Sequence, residues 1–112
     1  MSGKRSRNKG ARGERAVADY LKKVYPDAKR GVGQSQSGSN TADVEGTPWW
    51  PEVKFSKQPN IRAAMAQAKD ATDGRKPIVF SKRDRETMLV TMEEDVFLVL
   101  VEAYERYIRS EG

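Results

Sequence analysis

The chain contains no cysteine and no histidine. Without thiols there can be no disulfide framework, no thiolate nucleophile and no cysteine-rich zinc site. Without imidazole there is no Ser-His-Asp triad, no histidine base and no His-ligated metal. Catalysis would have to come from carboxylates, lysines and hydroxyls, and carboxylate oxygens are hard ligands suited to Mg²⁺ or Mn²⁺. Long apolar runs are missing too. The longest, residues 96–101, falls far short of the roughly 20 residues of a membrane span. No apolar stretch follows the basic N-terminus as a secretory signal would need, so the expectation is a cytoplasmic protein with no membrane partner.

What is present is 112 residues, a one-domain length, with 33% charged residues set against 37% hydrophobic ones. The charge is unevenly placed. Residues 1–15 hold Lys4, Arg5, Arg7, Lys9, Arg12 and Arg15 against Glu14 alone, which accounts for the whole net charge of +5. A basic segment on a neutral body is the footprint of a polyanion binder, with nucleic acid favoured because the segment has no apolar face. A solubilising tail is the plainer alternative. Residues 1–8 are expected to form a mobile arm and residues 9–112 a single domain.

Apolar spacing predicts a helix over residues 9–24 with Val17, Ala18, Leu21, Val24 and Tyr25 on one face, ended by Pro26. A short strand is expected over residues 28–32, then a Gly/Ser/Gln loop. Strands over 41–45 and 49–55 flank a Gly46-Thr47-Pro48 hairpin turn. Asn60 can cap a second helix carrying Ile61, Ala64, Met65 and Ala68, closed by Gly74. Residues 77–81 and 86–91 read as strands. Thr91 to Glu94 fits a capping box opening a last helix over 92–109. The order predicts an α/β sandwich with a mixed central sheet, in which the second helix makes a right-handed crossover.

Strand alternation sets Val53 and Phe55 on one face and Glu52 and Lys54 on the other. With a four-residue turn, residues 46–49, Asp43 would lie directly across from Glu52, and two carboxylates held that close repel unless a cation lies between them. Such a metal, held by Asp43, Glu52 and the Val53 carbonyl, suits phosphodiester hydrolysis, with Lys54 orienting the nucleophile or offsetting charge. A surface hairpin with ordinary solvated charges is the alternative. Glu14 falls on the apolar stripe of the first helix, where a carboxylate either answers the helix dipole or projects toward the metal.

Three segments together resemble the archaeal-type Holliday junction resolvases of the PD-(D/E)XK nuclease superfamily. They are Lys9-Gly10-Ala11-Arg12-Gly13-Glu14-Arg15, Gly38-Ser39-Asn40-Thr41-Ala42-Asp43-Val44, and Glu52-Val53-Lys54, in the family's order and near its spacing, covering about residues 8–56. The resemblance implies a restriction-endonuclease-like core, a mixed central sheet flanked by helices. It implies a catalytic set of Glu14, Asp43, Glu52 and Lys54, with metal ligation by Asp43, Glu52, the Val53 carbonyl and Glu14. It further implies a loop serine at Ser39, with Ser35 or Ser37 able to reach the same place, and DNA contacts from Arg15 and Arg30. Ala42 stands where the superfamily's signature has proline. The cofactor would be Mg²⁺, with Mn²⁺ substituting.

Gln67 sits where many such nucleases carry a glutamine, although a lone helix glutamine is usually only solvated. Lys57 is read as a DNA contact; Lys69, Arg83 and Arg85 could extend a phosphate-tracking surface. Trp49 and Trp50 are read as core or interface residues rather than base-stacking platforms. Residues 96–101, apolar on every side, suggest a last helix with one face on the sheet and the other in a homodimer, the assembly that symmetric cutting of a four-way junction requires; a fully buried helix or strand within one subunit is the alternative. The expected function is resolution of four-way DNA junctions. A less selective nuclease acting on nicked, flapped or linear DNA, and a non-catalytic nucleic-acid-binding module, are the alternatives.

Overall fold

The computed structural model describes residues 2–31 and 41–111, with side chains from Gly10 onward. The order is α1 (Ser2–Leu21), β1 (Lys29–Arg30), β2 (Val44–Glu45), β3 (Trp49–Phe55), α2 (Ile61–Ala71), β4 (Lys76–Lys82), β5 (Leu89–Met92) and α3 (Glu94–Glu111). This is an α/β fold. β3 and β4 run parallel, joined through α2, and β5 returns antiparallel along β4, while β1 and β2 form a separate antiparallel pair. No helix among the described residues is long and apolar enough to cross a membrane.

Two cores hold the sheet between helices. On one face Val17 and Ala18 of α1 meet Ala28, Val44, Ile78 and Phe80, with Val53 and Phe55 packed against them. On the other, Trp50 meets Ala42 and Ala68 of α2. The small alanines let α2 lie close to β3 and β4, and Asn60 caps it by accepting a 3.0 Å bond from the Ala63 N–H. Gly13 does the equivalent for α1, since a Cβ there would press on the Phe55 ring. That close approach carries Glu14 toward β3.

Several expectations need correction. α1 starts at Ser2 rather than near residue 9. It ends at Leu21, well before Pro26, and Val24 is left exposed. α2 ends at Ala71 with Thr72 as its C-cap, while Gly74, at φ +114°, serves the following turn instead. Thr91 does not open the last helix: it stays in β5 opposite Val79, and the Glu93 carbonyl accepts the first helical bonds from Val96 and Phe97.

α3 also departs from expectation by packing neither face on the sheet. Only Val96 is buried. Its first turn is pinned by Lys69–Glu93 (2.8 Å) and Lys76–Asp95 (2.9 Å), and beyond it the helix leaves the body.

Candidate active site

The expected ladder between residues 41–45 and 49–55 is interrupted at the site. The Asp43 N–H donates to the Pro51 carbonyl (3.2 Å), and Pro51 has no N–H to return the bond. Asp43 therefore faces Pro51, one residue short of the expected Glu52 register, because the turn spans Gly46 to Pro48 only. Gly46 takes φ +89° there, and a Cβ would strike the Asp27 carbonyl. The next N–H along β3, that of Val53, is claimed by the Asp43 side chain: Oδ2 accepts it at 2.8 Å. Where a ladder would have continued, a carboxylate is held beside Glu52.

Glu52, Lys54 and Trp50 share one face of β3, beside Val79, Ser81 and Pro77 of β4 respectively. Glu52 is buried at 7% exposure. Lys54 Nζ lies 3.9 Å from Glu52 Oε2 and is itself 40% exposed, so its ammonium stands at the mouth of the site. Glu14 projects from α1 into the same open cavity of about 390 Å³, which Asp43, Glu52, Val53 and Lys54 line together with Gly10, Phe55, Ser56 and Gln67. The four expected catalytic residues thus meet, and Gln67 joins them from α2.

Electrostatics couples the three acids. Burial chiefly, then the Asp43 charge and least of all Glu14, together push the Glu52 carboxyl up to about 7 against the downward pull of Lys54. Glu14 is raised chiefly by burial and also by Asp43, while a hydrogen bond from Arg30 draws it down. That bond, Arg30 Nε to Glu14 Oε1 at 2.7 Å, gives Arg30 a partner within the protein. Sequence reading placed Arg30 on DNA and missed the pair, because sixteen residues and a turn separate the partners.

The remaining candidates are dispersed. Arg12, Arg15 and Lys57 are exposed and do not line the cavity. Ser39, with Ser35 and Ser37, and the side chains of Lys4, Arg5, Arg7 and Lys9 lie outside what is described. Trp49 is structural, donating from Nε1 to the Tyr25 hydroxyl at 2.8 Å, and Trp50 is buried under the Arg75 guanidinium, 5.0 Å from its ring centre. Arg75 was not anticipated at all. It forks onto Glu45 and reaches the carbonyls of Thr47 and Trp49, tying the turn to the end of α2.

Could these residues hold a divalent cation? No three acidic side chains among the described residues form a ready-made metal-binding group. The donor set is nonetheless carboxylate and carbonyl oxygen, as a hard cation prefers. A double positive charge beside Asp43 and Glu52 would offset their mutual repulsion, the second cause after burial of the raised Glu52 carboxyl. Asp43, Glu52 and the Val53 carbonyl therefore fit such an ion, while Glu14 would first have to yield its partner Arg30. No protein family, curated protein or solved structure matches the chain.

Proposed function

We propose that the protein is a Mg²⁺-dependent, structure-selective endodeoxyribonuclease that resolves four-way DNA junctions as a homodimer, on a restriction-endonuclease-like core. The observation that carries this reading is that Glu14, Asp43, Glu52 and Lys54, from three separate segments, line one cavity. Asp43, Glu52 and the Val53 carbonyl would hold the ion, which when bound supplies Lewis acidity to a phosphoryl oxygen and lowers the pKa of water.

The chain's own groups do the rest. Lys54, exposed and cationic beside Glu52, hydrogen-bonds a phosphate oxygen and offsets the negative charge that grows as the phosphodiester is attacked. Asp43, fixed by the Val53 N–H, keeps its carboxylate oriented without reorganisation. Arg12, Arg15 and Lys57 are exposed cations that would bind phosphate without base information, which suits recognition of a branched shape rather than a sequence.

The test is cleavage of a labelled four-way junction and of the matching duplex, at equal concentration, with and without Mg²⁺. Paired symmetric cuts in the junction alone are expected, with Glu52→Ala binding the junction but leaving it whole. Equal cutting of duplex and junction would replace the resolvase by a less selective nuclease. Salt-sensitive binding with no cutting in Mg²⁺ would replace both by a non-catalytic nucleic-acid-binding module.

A further inference from the structure

The sheet carries a second opening at the end where Lys54 stands. Lys54 lies next to Ser81 across the parallel pair, and one residue further on the Ser56 N–H donates to the Lys82 carbonyl at 3.0 Å. There a cavity of about 350 Å³ opens between the start of α2, at Pro59 and Ile61, and the turn that joins β4 to β5. A single strand spacing, about 4.8 Å, separates the Lys54 and Ser81 backbones, so the two cavities are neighbours.

Ser81 belongs to the wall of this cavity and is only 2% exposed. A hydroxyl buried that far normally has a partner. The Ser81 hydroxyl has none among the described residues. Every side-chain oxygen or nitrogen sealed from solvent there is bonded, so the free hydroxyl reaches the cavity itself. It is a donor held in place with nothing in the protein to receive it.

The surroundings narrow the ligand. α2 begins at this wall, and the Asn60 side chain answers only the Ala63 N–H, so the helix offers its positive end with donors still unclaimed. Lys82 and Arg83 line the cavity against one acid, Glu86, whose carboxylate Arg83 already holds at 3.1 Å. A hydroxyl, a helix start and a net positive wall suit a phosphate oxygen. Its place one strand from Lys54 suits the next phosphate of a strand lying over the catalytic cavity, rather than a free anion.

We infer that this cavity binds a backbone phosphate flanking the scissile one, with the Ser81 hydroxyl as donor and the first turn of α2 behind it. The inference rests on the nuclease reading for the identity of the strand. Binding is measured without Mg²⁺ and without cleavage, so its failure is distinct from failure of that reading.

The test is amide NMR of the full chain, titrated with inorganic phosphate in one arm and with single-stranded oligothymidylate in the other. The oligonucleotide should shift the signals of Ile61, Arg62 and Ser81 saturably, and Ser81→Ala should weaken that binding about tenfold. Signals that the oligonucleotide leaves unmoved, or that phosphate moves equally at equal concentration, would overturn the proposal. Urea unfolding separates binding from folding. Because the hydroxyl has no partner in the protein, Ser81→Ala should be at least as stable as the parent. An alanine variant less stable than the parent would assign the hydroxyl to the fold, and one that binds as tightly would remove it from the site; either result overturns the proposal.

Discussion

Asp43 Oδ2 accepts the backbone N–H of Val53 at 2.8 Å, so one carboxylate both replaces a missing rung of the sheet and stands beside Glu52. Structure and proposed catalysis meet in this bond, and substitution can separate them. Asp43→Ala leaves a part-buried N–H without its acceptor and should cost about 1–3 kcal/mol in urea unfolding. Asp43→Asn keeps an acceptor oxygen and sheds repulsion with Glu52, so its stability should stay within about 1 kcal/mol of the parent. Both should be inactive on a junction. An Asn variant that cuts like the parent would remove Asp43 from the chemistry.

Glu52 gives stability a definite dependence on pH. Its carboxyl titrates at about 7 in the fold against 4.5 when free, so between those values the folded state holds the extra proton. Stability therefore falls as pH rises through that window, by up to about 3 kcal/mol. Glu14, also raised, acts in the same direction. Asp73 and Asp95, both lowered, act below the window. Glu52→Gln should flatten most of the decline between pH 5 and 8, as measured by urea unfolding, and should exceed the parent in stability at pH 8. A parent whose stability rises across that range would contradict the burial assigned to Glu52.

Lys54 makes the opposite case, a residue whose loss should be felt in rate rather than in fold. Its side chain is 40% exposed and 3.9 Å from its partner, so Lys54→Ala should unfold within about 0.5 kcal/mol of the parent. Single-turnover cleavage should slow by about 10²–10³-fold. A rate near the parent's would leave the ammonium without a part in the reaction.

Arg75 should behave in reverse. Removing it takes a partner from Glu45, Asp73 and the Thr47 and Trp49 carbonyls and uncovers one face of Trp50, and Arg75→Ala should lower stability by about 2–3 kcal/mol. Lysine lacks the planar fork and should recover less than half of that. Below the new melting range, cleavage should persist. An Arg75→Ala variant as stable as the parent would show that the turn does not depend on this network.

These residues also mark how far the sequence could be read. β3, β4 and α2 were legible because their signals are local: alternation, a buried apolar run, an asparagine three residues before the N–H it caps. Asp43, Glu52 and Lys54 were legible because the chemistry needs them close and the turn between them is short. The shift that pairs Asp43 with Pro51 was not, since it follows from a turn one residue shorter than assumed and from a proline that cannot return a bond. Glu14–Arg30 and Glu45–Arg75 join residues far apart in the chain, and no local pattern announces them. The opening of α3 was not legible for a related reason: pairing of Thr91 with Val79 outweighs its capping preference.

Calorimetric titration of Mn²⁺ and Mg²⁺ into the metal-free protein at pH 7.5 tests the central claim most directly. The parent should bind the ions at a single site with release of protons, since Glu52 must ionise to ligate, and Asp43→Asn and Glu52→Gln should each lose that binding. Equal binding by all three proteins, or none by the parent with junction DNA present, would contradict a metal centre at Asp43 and Glu52.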